Sequence, residues 1–171
     1  CNTASAIAYH SLQKNHSIPL FDVVSPSVDF ALKKSKTKNI GVIGTTNTVN
    51  SKTYSRQFAD KNKDFSIYEI PCPLFVPIIE EGWADSNIAR EIANIYCQGF
   101  ENLYIDTLIL GCTHYPIMAD TIQSVLPENV QLVFSGETVG NKLSQYLNEN
   151  KLIITLSSRG NASFYVSDLP Q

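Results

Sequence analysis

Asp106-Thr107-Leu108-Ile109-Leu110-Gly111-Cys112-Thr113-His114-Tyr115-Pro116 sets an aliphatic run directly against a cluster of small and polar residues. The run reads as a buried strand, and Gly111 at its end permits close backbone approach. In an open α/β sheet ligands bind beyond the carboxyl ends of the strands, so a thiol, a hydroxyl and an imidazole at such a break stand where catalytic groups are usually found. Three other stretches have the same character: Asn39 to Gly44, Phe65 to Ile70 and Val130 to Phe134.

Amphipathic stretches alternate with these runs. From Asp85 to Phe100 the residues Ile88, Ile92, Ile95 and Tyr96 recur at helical spacing, with Asp85 placed to cap the first turn. Tyr54, Phe58 and their neighbours predict a helix between Thr48 and Lys63, and a third is expected from Ile117 to Val125, after the turn-forming Tyr115-Pro116. This alternation predicts an α/β protein with an open, mainly parallel sheet and helices on both faces. Residues 27–134 hold enough strands and helices for a complete domain. Residues 1–26, with one helix and one strand, and 135–171, with one helix and two short strands, read as part of a second α/β domain whose opening strands would precede Cys1.

The bulk composition narrows the function classes. The chain has 171 residues, 43% hydrophobic and 17% charged, without an apolar run long enough to span a bilayer, so a soluble globular protein is expected and no membrane partner. A net charge of -3 offers no electrostatic reason to bind nucleic acid. The one basic cluster, Lys33, Lys34, Lys36 and Lys38, reads as a solvated helix end. Four cysteines, Cys1, Cys72, Cys97 and Cys112, follow neither a zinc-ribbon nor a disulfide-framework spacing, which predicts free thiols and a cytoplasmic protein.

Cys112 alone is either a small buried hydrophobe or a reactive thiol; Thr113 and His114 beside it favour the second, since both can polarise a thiol or meet a charged ligand. Cys1 opens a segment, Asn2-Thr3-Ala4-Ser5, from which Ala4, Ile7, Ala8 and Leu12 continue at helical spacing. These polar residues either cap a helix or join its free amides in receiving a carboxylate. Cys72 and Cys97 read as structural thiols, and Glu80 and Glu81 as solvated. No metal site is expected, because Cys112 and His114 would need a further convergent ligand.

Cys1-Asn2-Thr3-Ala4-Ser5, Pro71-Cys72-Pro73-Leu74-Phe75-Val76-Pro77 leading to Glu80-Glu81-Gly82, and Leu110-Gly111-Cys112-Thr113-His114-Tyr115-Pro116 together resemble the bacterial glutamate racemases, of the aspartate and glutamate racemase family. Gly41-Val42-Ile43-Gly44-Thr45 with Thr48, and Ser135-Gly136-Glu137, are similar too. The resemblance implies racemisation of glutamate without a cofactor, supplying D-glutamate for peptidoglycan, with Cys1 and Cys112 as opposed acid and base. By the same resemblance His114 assists Cys112, and Asn2, Thr3 and Thr113 hold the charged groups of the substrate. A histidine two residues after the second cysteine favours glutamate over aspartate in this family.

The family also carries an Asp-Ser pair and a Pro-Tyr-Gly loop in an N-terminal segment, for which this sequence has no counterpart before Cys1. Alternatives are therefore another racemase or decarboxylase of the superfamily, acting on aspartate, hydantoins or malonates, or a catalytically silent chain. An incomplete second sheet would leave an apolar strand edge, so a homodimer is expected.

Overall fold

The computed structural model describes residues 1–153 together with Asn161, Ser163 and Tyr165. In chain order the elements are α1 (Asn2–Asn15), α2 (Ser25–Lys34), β1 (Asn39–Gly44), α3 (Thr46–Asn50), α4 (Thr53–Lys61), β2 (Ser66–Pro71), α5 (Phe75–Glu80), α6 (Asn87–Cys97), β3 (Thr107–Gly111), α7 (Ala119–Gln123), β4 (Gln131–Phe134) and α8 (Ser135–Glu149). The four strands form one parallel sheet in the order β2-β1-β3-β4.

Alternation along the strands sends side chains to two cores. Ile40 and Val42 of β1, Ile109 of β3 and Val133 of β4 meet Val28 and Ala31 of α2 and Tyr54 and Phe58 of α4. Ile43, Leu108 and Leu110 face the other way, against Phe75, Ile78 and Ile79 of α5, Ala89 and Ala93 of α6 and Ile122 of α7. The sheet is thus covered by helices on both faces. Both central strands are buried almost throughout, which is why they read as unbroken apolar runs, whereas the edge strand β2 is only half-buried.

Several local expectations give way to tertiary contacts. The helix expected between Thr48 and Lys63 is two helices, broken where Ser51 Oγ donates to the Thr48 carbonyl and accepts from the Thr53 N–H, with Lys52 in the left-handed region at φ 54. The helix expected from Ile117 to Val125 begins as a 3₁₀ turn over Tyr115–Met118 and becomes α-helical only at Ala119. The strand expected within residues 1–24 is absent: Asp22 Oδ1 instead accepts from the N–H groups of Val24 and Ser25, each at 2.7 Å, and turns the chain into α2. The segment after α8, in which two short strands are expected, lies largely outside the described residues.

α6 also differs in its buried face and its cap. Ala89, Ala93 and Cys97 are buried, with Ile92 and Tyr96 at the border, while Ile88 and Ile95 face outward; small residues let the helix lie close to the sheet. Its cap is Ser86, whose Oγ accepts from the Ala89 N–H at 3.1 Å, and Asp85 is exposed one residue earlier. Ser86→Ala is expected to cost about 1 kcal/mol, read as a lower urea midpoint at unchanged slope, and Asp85→Ala no more than about 0.5 kcal/mol. Equal losses would show that Asp85 shares the cap.

Candidate active site

β1 and β3 end side by side, with Gly44 paired to Gly111. The chain leaves β1 through Thr45, whose hydroxyl caps α3 by accepting from the Thr48 N–H at 3.3 Å. It leaves β3 through Cys112, Thr113 and His114, in a turn fastened by Tyr115, whose hydroxyl donates to the Cys72 carbonyl at 3.0 Å and whose ring meets Phe75 edge-on. α1 comes down over this edge with its first residues foremost. A cleft of about 190 Å³ results, lined by Cys1, Asn2, Thr3, Thr45, Val76, Cys112, Thr113 and His114. All six site residues expected from the sequence therefore line one cleft, although three come from the start of the chain and three from the end of β3.

The two thiols sit in different surroundings. Cys1 is exposed and occupies the cap position of α1, where no side chain satisfies the first-turn amides. Such free N–H groups favour an anion. Cys112 is 6% exposed. Burial pushes its thiol up, while hydrogen bonds from the backbone N–H groups of His114, Tyr115 and Thr113 pull the other way.

His114 Nδ1 is 3.8 Å from Cys112 Sγ, and its Nε2 is 3.4 Å from Glu80 Oε1, an ion pair only when the imidazole is protonated. Glu80 is solvated as the sequence suggests, but it also stands beside the site. The hydroxyls of Thr3, Thr45 and Thr48 form a triangle with sides of 2.9, 3.0 and 3.0 Å. Asn2 is almost fully buried; its Nδ2 donates to the Tyr54 hydroxyl at 2.8 Å, and its Oδ1 accepts from Ser135 Oγ at 3.3 Å.

The model of the Asp/Glu/Hydantoin racemase family matches residues 1–139. The chain belongs to this family. A glutamate racemase of Geobacter metallireducens is 38% identical over 170 residues, which are 99% of this chain and 63% of that protein. The chain thus spans a little over three-fifths of the length of this curated relative. A glutamate racemase from Francisella tularensis, solved in complex with D-glutamate, superposes with a TM-score of 0.85 at 38% identity, over 92% of this chain and 58% of that one. The glutamate racemase isoform RacE1 of Bacillus anthracis superposes with a TM-score of 0.87 at 32% identity, over 91% and 58%.

Acid–base groups separate the cleft of this racemase-family chain from a larger cavity of about 380 Å³ beside the end of α6. That cavity has the single thiol Cys97, buried and pushed up to about 11, with no second thiol across from it. Among the described residues no three His, Cys, Asp or Glu side chains are grouped to hold a metal, and no helix is long and apolar enough to cross a membrane.

Residues the sequence did not single out as part of the site also contribute. Thr45 and Thr48 were visible only within a glycine-threonine turn, and Val76 only within its proline-flanked run. Tyr54 and Ser135 reach Asn2 by tertiary contact, for which the local sequence gives no signal. Alkylation by iodoacetamide, mapped by peptide mass spectrometry, should modify Cys1 first and Cys112 with a pH midpoint above the roughly 8.5 of a free thiol. A midpoint for Cys112 below that value would show that the backbone N–H groups outweigh its burial.

Proposed function

We propose that this chain carries the two-thiol centre of a glutamate racemase that interconverts L- and D-glutamate without a cofactor. The observation that carries the reading is that Cys1 and Cys112 line one cleft together with hydroxyl and backbone groups suited to a carboxylate. The glutamate racemases among its relatives, one solved with D-glutamate, support the choice of substrate, as does His114 beside the second thiol.

Inverting an α-carbon needs a base on one face and an acid on the other. One cysteine, as thiolate, takes the α-proton; the electron pair left behind is drawn towards the adjacent carboxylate. The other cysteine, as thiol, delivers a proton to the opposite face. The two sulfurs have then exchanged protonation states, and the reverse reaction uses them in swapped roles. Burial favours the neutral form of Cys112, and its turn amides limit that preference, which supports a part for this thiol as proton donor that can also give up its proton.

Each remaining group has a part in this reading. The free first-turn N–H groups of α1, the Thr3 and Thr113 hydroxyls and the second Nδ2 hydrogen of Asn2 hold the charged groups of the substrate. His114 assists Cys112, with Glu80 on its other nitrogen to hold the imidazole in place.

On this reading the protein works in the cytoplasm and supplies D-glutamate to peptidoglycan. Residues 27–134 form one α/β domain, and 1–26 with 135–171 belong to a second. Ile7, Leu12 and Ile18, exposed on and after α1, are surface for a homodimer contact.

The test is to incubate the protein, as its gene encodes it, with L-glutamate in heavy water and no added cofactor. D-glutamate bearing deuterium at the α-carbon is expected. D-glutamate that retains protium there would contradict proton exchange through two solvent-equilibrated thiols.

A further inference from the structure

The two cysteine-bearing segments have a buried neighbour in common. Tyr54, on α4, is fully buried, and its ring lies against Gly111, the residue before Cys112: a Cβ built on Gly111 would stand 3.4 Å from Tyr54 Cε2. Its hydroxyl accepts from Nδ2 of Asn2, the residue after Cys1, at 2.8 Å. One rigid side chain thus bonds to the residue after Cys1 and stands beside the residue before Cys112. The far end of the Asn2 amide is held by Ser135, the first residue of α8, so that Asn2 is gripped between α4 and α8 and cannot turn without breaking a buried hydrogen bond.

We infer that Tyr54 is a positioning residue that sets the separation and facing of Cys1 and Cys112, acting on Cys1 through Asn2 and on Cys112 through the backbone at Gly111. The inference rests on the two-thiol reading. Burial pushes the Tyr54 hydroxyl far above its ordinary pKa, so it keeps its proton and serves as a fixed neutral group rather than as an acid or base of the reaction. Its two contacts are separable. Tyr54→Phe preserves the ring beside Gly111 and removes only the acceptor for Asn2; a small loss through Asn2's hold on the substrate is shared by both enantiomers, and the larger loss should fall on the Cys1 side of the cleft.

Racemisation cannot reveal that bias, because the two enantiomers have equal free energy and kcat/KM must change equally in both directions. Elimination can. With a chloride on the β-carbon of glutamate, one thiolate takes the α-proton, the C–H pair becomes the Cα–Cβ double bond and chloride leaves, so each α-enantiomer needs only the thiol on its own face. Chloride release from the two enantiomers by Cys112→Ser and Cys1→Ser first assigns one enantiomer to each thiol.

In Tyr54→Phe, elimination from the Cys1 enantiomer is expected to fall roughly 10- to 100-fold, and from the Cys112 enantiomer by no more than about threefold. Equal slowing of both, as general loosening would give, or no slowing of either, would overturn the inference. If Tyr54→Phe fails to fold, Ser135→Ala frees the other end of the Asn2 amide and should give the same bias; equal slowing there overturns it as well. If neither cysteine variant eliminates from either enantiomer, the two-thiol reading itself falls and takes this inference with it, an outcome distinct from both cysteine variants behaving as expected and Tyr54→Phe showing no bias.

Discussion

The carboxyl edge of the sheet depends on how closely β1 and β3 approach where Gly44 pairs with Gly111. A Cβ on Gly111 would stand 2.7 Å from the Ile43 carbonyl oxygen, too close for any side chain, so the approach requires glycine. From that meeting point the chain leaves in two directions. One exit carries the Thr45 and Thr48 hydroxyls, the other Cys112, Thr113 and His114. The space beside Gly111 is taken by the Tyr54 ring, whose hydroxyl brings Asn2, and with it Cys1, to the same edge. The cleft is thus a consequence of backbone packing, with its reactive groups attached to rigid elements.

In the proposed reaction two identical side chains must play unequal parts. Cys112 is buried at the end of a central strand, and Cys1 stands at the start of α1. Two neighbouring thiols do not ionise together, because the charge on the first raises the pKa of the second. A reaction that needs one proton donor and one acceptor at the same moment is served by surroundings that differ, provided that neither thiol is held so firmly in one state that it cannot exchange. The opposed effects of burial and backbone N–H groups on Cys112 fit that condition.

Much of the fold could be read directly from the sequence, because central strands of a parallel sheet are buried on both faces and so appear as uninterrupted apolar runs. All four strands lie within a residue of where those runs place them. The helices were harder. The break at Ser51 and Lys52 has no glycine or proline to announce it and arises from a serine that bonds to the backbone. On α6, counting isoleucines pointed to the wrong stripe, since two alanines and a cysteine pack closest to the sheet. Around the cleft, the residues near Cys1 and Cys112 were legible because thiol, hydroxyl and imidazole occur together at strand and helix ends. The links through Tyr54, Ser135 and Glu80 join distant parts of the chain, and only the folded arrangement reveals them.

The central claim, that two thiols face one α-carbon from opposite sides, is tested most directly by a crystal structure of the protein, as its gene encodes it, with D-glutamate bound. The account expects the α-carbon between the sulfurs of Cys1 and Cys112, one on each face, each at roughly 3 to 3.5 Å. Glutamate bound with both sulfurs on the same face of the α-carbon, or seated in the cavity beside Cys97 instead, would contradict it.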